Sequence, residues 1–304
     1  MSKDCSKIEM KASFWPPYFS VGETCVNPNK KKNSSDKKGF SVGLINDEYQ
    51  TGVQISLVNG SGADLIGIQA AGLNIARRMT GVQVAFGANA ALGPMTGVQV
   101  AGWSNWALGD MTGIQAAVRG NSTDKQMVGA QAAVGWNYAD EDMKGVQLAG
   151  LFNGTRGDML IAQGALFVNS AQGEMFGLEV AGLANWAMHD MTGVQAAFLL
   201  NFTHRDMKGV QGSFLANLAD GSMQGVQAAG LLNVAIGGMS GLQVSLANIA
   251  LHGGMEGLQI GAINYAEGEM QATFGIINLS VRCNYLLATP IWGGMCVFGQ
   301  YSRR

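Results

Sequence analysis

The residues best suited to acid–base or metal chemistry near neutral pH are three histidines, His189, His204 and His252. They have no metal-site spacing and sit among Asp, Gly and Arg, so they read as exposed turn residues. Glu179 is the one acid at a position otherwise held by Gln. A working carboxylate needs a partner, and the equivalent residues of adjacent repeats are Gln163 and Gln195. Glu179 therefore reads as a near-isosteric replacement of Gln. No glycine-rich segment ends in the Lys-Ser/Thr of a phosphate loop. No Gly-x-Ser-x-Gly elbow stands in a strand-to-helix context. Asn-x-Ser/Thr occurs at Asn59, Asn121, Asn153, Asn201 and Asn278, where the repeat itself sets Asn and Thr two apart, so these are weak glycosylation signals. The expectation is a protein without catalysis, cofactor, metal or small-molecule substrate.

What organises the chain is periodicity. Met recurs at 79, 95, 111 and onward to 255 with a constant spacing of sixteen. Two diverged units precede this series, near Gln50 and Leu65, and another starts at Met270, giving about fifteen units from Gln50 to Asn278. With Met at position 0, Gly is usual at 2, Gln at 4, a small residue at 6, Asn at 10, and Ala or Thr at 12. Positions 13 to 15 hold Gly, Asp, Glu, Lys and Arg.

Sixteen is no multiple of a helical turn that keeps one face buried, and Gly in nearly every unit opposes helix. Alternation in Gly-Val-Gln-Val-Ala is strand periodicity, and the Gly/Asp segments are turns. Gln-to-Asn spacing is six in central units but five at Gln54–Asn59, Gln69–Asn74, Gln243–Asn248 and Gln259–Asn264. A one-residue slip within a strand would turn every later side chain to the other face. A corner between positions 6 and 10 absorbs it, which predicts two strands per unit, at positions 2–6 and 10–13.

The expected architecture is an all-β solenoid in which equal positions stack. Gln83, Gln99, Gln115, Gln131, Gln147, Gln163, Gln195, Gln211 and Gln227 then form one ladder. Asn89, Asn105, Asn121, Asn137, Asn153, Asn169, Asn185, Asn201, Asn217 and Asn233 form another. Stacked amides hydrogen-bond along such ladders, and fifteen coils make a rod of roughly 70 Å. The alternative is an antiparallel transmembrane β-barrel of sixteen-residue strands. A meander with identical short turns accumulates none of the stagger that closure requires.

Net charge is −2, so no global field points to nucleic acid. Charges in the repeats sit at turn positions or position 1, with Arg119 and Glu179 as exceptions. Odd positions carry Val82, Val84, Phe86, Trp106 and Phe198; even ones carry Gly, Gln, Ala and Asn. The preferred reading puts the apolar set inside, where Gly102 and Gly182 trade volume with Trp106 and Trp186. Gln and Asn would then lie on a flat outer surface as contact residues. The other reading puts the amides inside and implies that a partner covers a large apolar exterior. Either way the faces lack charge, and self-association or docking on a protein or membrane surface is expected.

Residues 1–49, with Lys30, Lys31, Lys32, Lys37 and Lys38 in a loop, and 279–304 are expected to cap the 50–278 solenoid. Cys5, Cys25, Cys283 and Cys296 fall in these ends, either paired locally or as free thiols. The start of the chain lacks the apolar core of a signal peptide, which would fit a cytoplasmic protein. Gly52-Val-Gln-Ile-Ser-Leu-Val-Asn59 and Gly241-Leu-Gln-Val-Ser-Leu-Ala-Asn248 resemble the Gly-Val-Gln-Ile-Gly-Leu-x-Asn units of bacterial surface-repeat proteins. The resemblance spans about Gln50 to Asn278 and implies a cell-surface or envelope location, with no catalytic residues to carry over. The rival function is a membrane-inserted or pore-forming envelope β protein.

Overall fold

In a computed structural model, residues 10–12, 19–21, 37–46, 50–268, 270–280 and 295–296 are described. They belong to two units, Met1–Asp36 and Lys37–Arg304. In the first, Met10–Ala12 pairs antiparallel with Phe19–Val21. The second is a parallel β-solenoid.

Each central coil has two strands. Met111–Ala117 and Gly120–Thr123 are typical, joined by the corner Val118–Arg119 and followed by the turn 124–126. The strands thus fill positions 0–6 and 9–12, so the first begins two residues earlier than expected and the second is displaced by one. Long strands pair in parallel with long strands of adjacent coils, Met143 opposite Met127 and Met159. Short strands do the same, Asn137 opposite Asn121 and Asn153. Parallel pairing excludes the antiparallel barrel for these residues.

The corner absorbs the slip. Gln243 stays opposite Gln227 and Asn248 opposite Asn233, so the missing residue falls between Val244 and Ala247. Towards the N-terminus the run Gln50–Ala91 is extended throughout, corners included. Lys37–Asn46, expected in the cap and its basic loop, is instead a strand in register with that run, Asn46 opposite Asn59. In the tail, Met295–Cys296 pairs in parallel with Leu279–Ser280. Lys30, Lys31, Lys32 and the side chains of all four cysteines lie outside the described residues.

The interior corrects the preferred reading. Positions 0, 4, 10 and 12 point in and the odd strand positions point out, while at the corner position 8 is also exposed, as at Trp103 and Leu151. Met at position 0 and Ala at position 12 form one buried apolar cluster along the lumen. Gln at position 4 and Asn at position 10 are buried beside them. The reason is hydrogen-bond satisfaction. An amide that finds its own kind one coil above and below keeps its bonds without water, so the desolvation cost is met. Bulky rings go outside, where Gly120 leaves room for the ring of Trp136 from the next coil; a Cβ there would lie 2.4 Å from Trp136 Cε2. The trade expected from the sequence is not the one observed: a Cβ on Gly102 or Gly182 would crowd the carbonyl oxygen of Phe86 or Leu166 rather than Trp106 or Trp186.

Gly at position 2 has a steric cause. Gly113 has φ 135°, and a Cβ on it would lie 1.9 Å from the carbonyl oxygen of Gly97 in the preceding coil. Position 2 therefore favours Gly on Gly, with Ile161 at φ 109° as an exception.

Candidate interaction surface

Gln and Asn amides run through the interior in opposite senses. Each Asn Nδ2 donates towards the C-terminal end, Asn137 to Asn153 Oδ1 at 2.9 Å, without a break from Asn59 to Asn278. The same Nδ2 reaches the carbonyl oxygens of Gln131 and Leu148 at 3.3 and 2.7 Å, which ties down the corner. Each Gln Nε2 donates towards the N-terminal end, Gln147 to Gln131 Oε1 at 2.8 Å. Thr123, Thr155 and Thr203 add hydroxyl donors to Gln115, Gln147 and Gln195.

The structure thus brings together every Gln and Asn singled out in the sequence, from Gln83 to Gln227 and Asn89 to Asn233, as ladders. It also removes them from any contact surface, because all are buried. The same burial closes the glycosylation signals: Asn59, Asn121, Asn153, Asn201 and Asn278 are interior members of the ladder. The signal that separates inside from outside was in the repeat itself. Position 10 is Asn in coil after coil, while position 11 wanders through Ala90, Trp106, Ser122, Tyr138 and Gly154. A stacked interior tolerates one residue type; a surface tolerates many.

The surface is made by the odd-position apolar residues, Phe86 and Phe198 among them, which the second reading of the sequence placed outside. At the corner, Phe86, Val134, Leu166, Phe198 and Phe214 project outward, Phe86 at 91% and Leu166 at 71% exposure. Phe198 and Phe214 stack at 5.2 Å between ring centroids. Arg119, the one charge at this corner, lies over the ring of Trp103 at 5.2 Å. Beside the corner, the outer face of the long strands forms a shallow apolar groove floored by Ala116 and Ala132 and flanked by Val100, Leu148 and Val180.

The other corner is polar and self-satisfied. Lys125 pairs with Glu141 of the next coil at 2.5 Å, Arg156 pairs with Asp140, and His204 Nδ1 meets Asp220 at 2.9 Å. Aspartates bridge successive turns: Asp142 accepts from the Asp158 N–H at 3.0 Å and Asp206 from the Ser222 N–H at 2.8 Å. His189 and His252 contact the carbonyl oxygens of Gln172 and Ile236. Among the described residues no group of three or more His, Cys, Asp or Glu could hold a metal ion. No helix there is long and apolar enough to cross a membrane, which says nothing of strands.

Comparison with protein-family models, with curated proteins and with solved structures found no match.

Proposed function

We propose that this chain is a non-catalytic structural protein that associates with apolar surfaces through its outward strand face and apolar corner, first of all with a second copy of itself. The observation that carries this reading is the segregation around each coil. Apolar side chains hold one corner, where Arg119 is the one charge, while charges gather at the opposite corner, several of them paired coil to coil, and at the edge of the long strands, as at Lys144 and Lys208. A copy docked along the apolar corner would cover a single cation, Arg119, which already lies over the Trp103 ring, so little charge is desolvated, the step that usually opposes such contacts. The size fits too. A corner three residues wide and about 70 Å long covers roughly 700 Å², and a standard interface takes about 800 Å² from each partner. The resemblance to bacterial surface repeats favours work at an envelope.

The test is light scattering on the purified chain, with sedimentation against liposomes as a second arm. Expected are dimers or larger assemblies in detergent-free buffer, dispersed to monomers by Leu166→Lys with Phe198→Lys. Binding to vesicles with no self-association would transfer the same surface to a lipid partner. A monodisperse monomer at high concentration with no lipid affinity would overturn the proposal.

A further inference from the structure

The Gln ladder has one internal fault. Each Gln Oε1 receives the Nε2 of the following coil: Gln147 Oε1 from Gln163 at 2.7 Å, Gln195 Oε1 from Gln211 at 2.8 Å. The residue following Gln163 is Glu179, held opposite it by the strand register. A carboxylate has no hydrogen to donate. Gln163 Oε1 and Glu179 Oε1 are both buried without a hydrogen-bond partner. Glu179 Oε2 is satisfied, accepting from Gln195 Nε2 at 2.7 Å.

Nothing nearby repairs the fault. In other coils a position-12 threonine donates to the glutamine oxygen, as Thr155 does to Gln147 at 3.2 Å. In the coils of Gln163 and Glu179 that position is Ala171 and Ala187. The elements packed against Glu179 are Met159–Ala165 and Met191–Ala197 alongside, with Val168–Ala171 and Ala184–Ala187. None carries an ionisable side chain, so no cation is at hand to balance a carboxylate. Glu174 and Asp190, in the turns before and after this coil, are exposed. The other unpaired ladder oxygen, Gln259 Oε1, faces the coil in which Thr273 replaces Gln. Both ladder gaps therefore fall where the following residue lacks an amide.

We infer that Glu179 is a proton-binding site built into the ladder: its carboxyl is held neutral, with the hydrogen on Oε1 donated to Gln163 Oε1. In that form it reproduces a glutamine, one donor towards the N-terminal coil and one acceptor towards Gln195. Burial pushes its pKa up to about 7, against the smaller opposing effect of the Gln195 hydrogen bond. The sign follows. The folded state holds this proton more tightly than the unfolded chain, whose value is 4.5. Stabilisation by the proton is complete below pH 4.5 and is lost as pH rises through about 7. Above that, two acceptors face each other inside the stack and the Gln163–Glu179 step becomes its weak point.

The experiment compares the full chain with Glu179→Gln by thermal melts from pH 5 to pH 8.5, and by infrared spectroscopy of the protonated carboxyl stretch at pH 6. Glu179→Gln supplies the missing amide and should not respond to pH at this site. The wild type is expected to match it closely at pH 5. It should then lose ground by on the order of 100-fold in folding equilibrium by pH 8.5. A carboxyl band present at pH 6, absent in Glu179→Gln and fading through about pH 7 would place the proton on this residue. A stability difference that is the same at both pH values, or a carboxylate already ionised at pH 6, would overturn the inference.

Discussion

At the scale of single residues, position 4 and position 2 set the strictest demands. Gln131 is buried between Gln115 and Gln147 and bonded to both. Gln131→Lys would put an ammonium where Gln147 Nε2 needs an acceptor. Leaving a buried charge uncompensated costs about 3–5 kcal/mol, so denaturant melts should show severe loss of stability. Leu166→Lys on the exposed corner should stay within about 0.5 kcal/mol. Position 2 gives a prediction of opposite sign. Ile161 stands where neighbouring coils have Gly145 and Gly177, and it adopts φ 109°. Such strain costs about 1–3 kcal/mol, part of which Gly returns through its freer unfolded chain. Ile161→Gly should therefore stabilise the protein by about 1 kcal/mol, read as a rise in melting temperature.

At the scale of the element, the strand is rigid in register and the corner is not. Val244 to Ala247 spans the corner with one residue fewer than central coils, yet both ladders stay in register across it. Deleting Val134 from the corner of a central coil should accordingly leave the circular dichroism spectrum unchanged and lower the melting temperature by only a few degrees. Deleting Ala130 should collapse the fold, because Gln131 and everything after it in that strand would turn to the wrong face. Equal damage from the two deletions would mean that corners are as constrained as strands. The sequence showed the slip and its location through Gln-to-Asn spacing alone. It did not show where strands begin. Met at position 0 looks like a turn-edge residue there, yet it is among the largest fully buried side chains once parallel neighbours stack it on itself.

At the scale of the whole solenoid, stability is a sum of coil-to-coil contacts, and the outer surface is free to serve association. The replacements Leu166→Lys and Phe198→Lys act on that surface while leaving every ladder bond intact. They should convert assemblies to monomers without lowering the melting temperature of the coil stack. A fall in folding stability as large as that of Gln131→Lys would show that the corner packs as core rather than as surface. The charged corner makes its contacts within one chain, coil to coil, so added salt should weaken self-association little, since exposed ion pairs contribute at most about 1 kcal/mol each.

Period, strand content, parallel stacking and the amide ladders were all determined by the sequence, because each follows from a residue type recurring every sixteen positions. Even the fault at Glu179 was visible as the single acid in the Gln series. Which parity faces the lumen was decided by tertiary structure. Composition favours Val and Phe inside, since apolar burial stabilises and amide burial costs. That cost disappears only when each amide meets its own kind in both adjacent coils, and this is a property of the stack and not of any single strand. The same reversal moved Gln and Asn from expected contact residues to the interior, and it left Phe86, Leu166 and Phe198 to form the exposed surface.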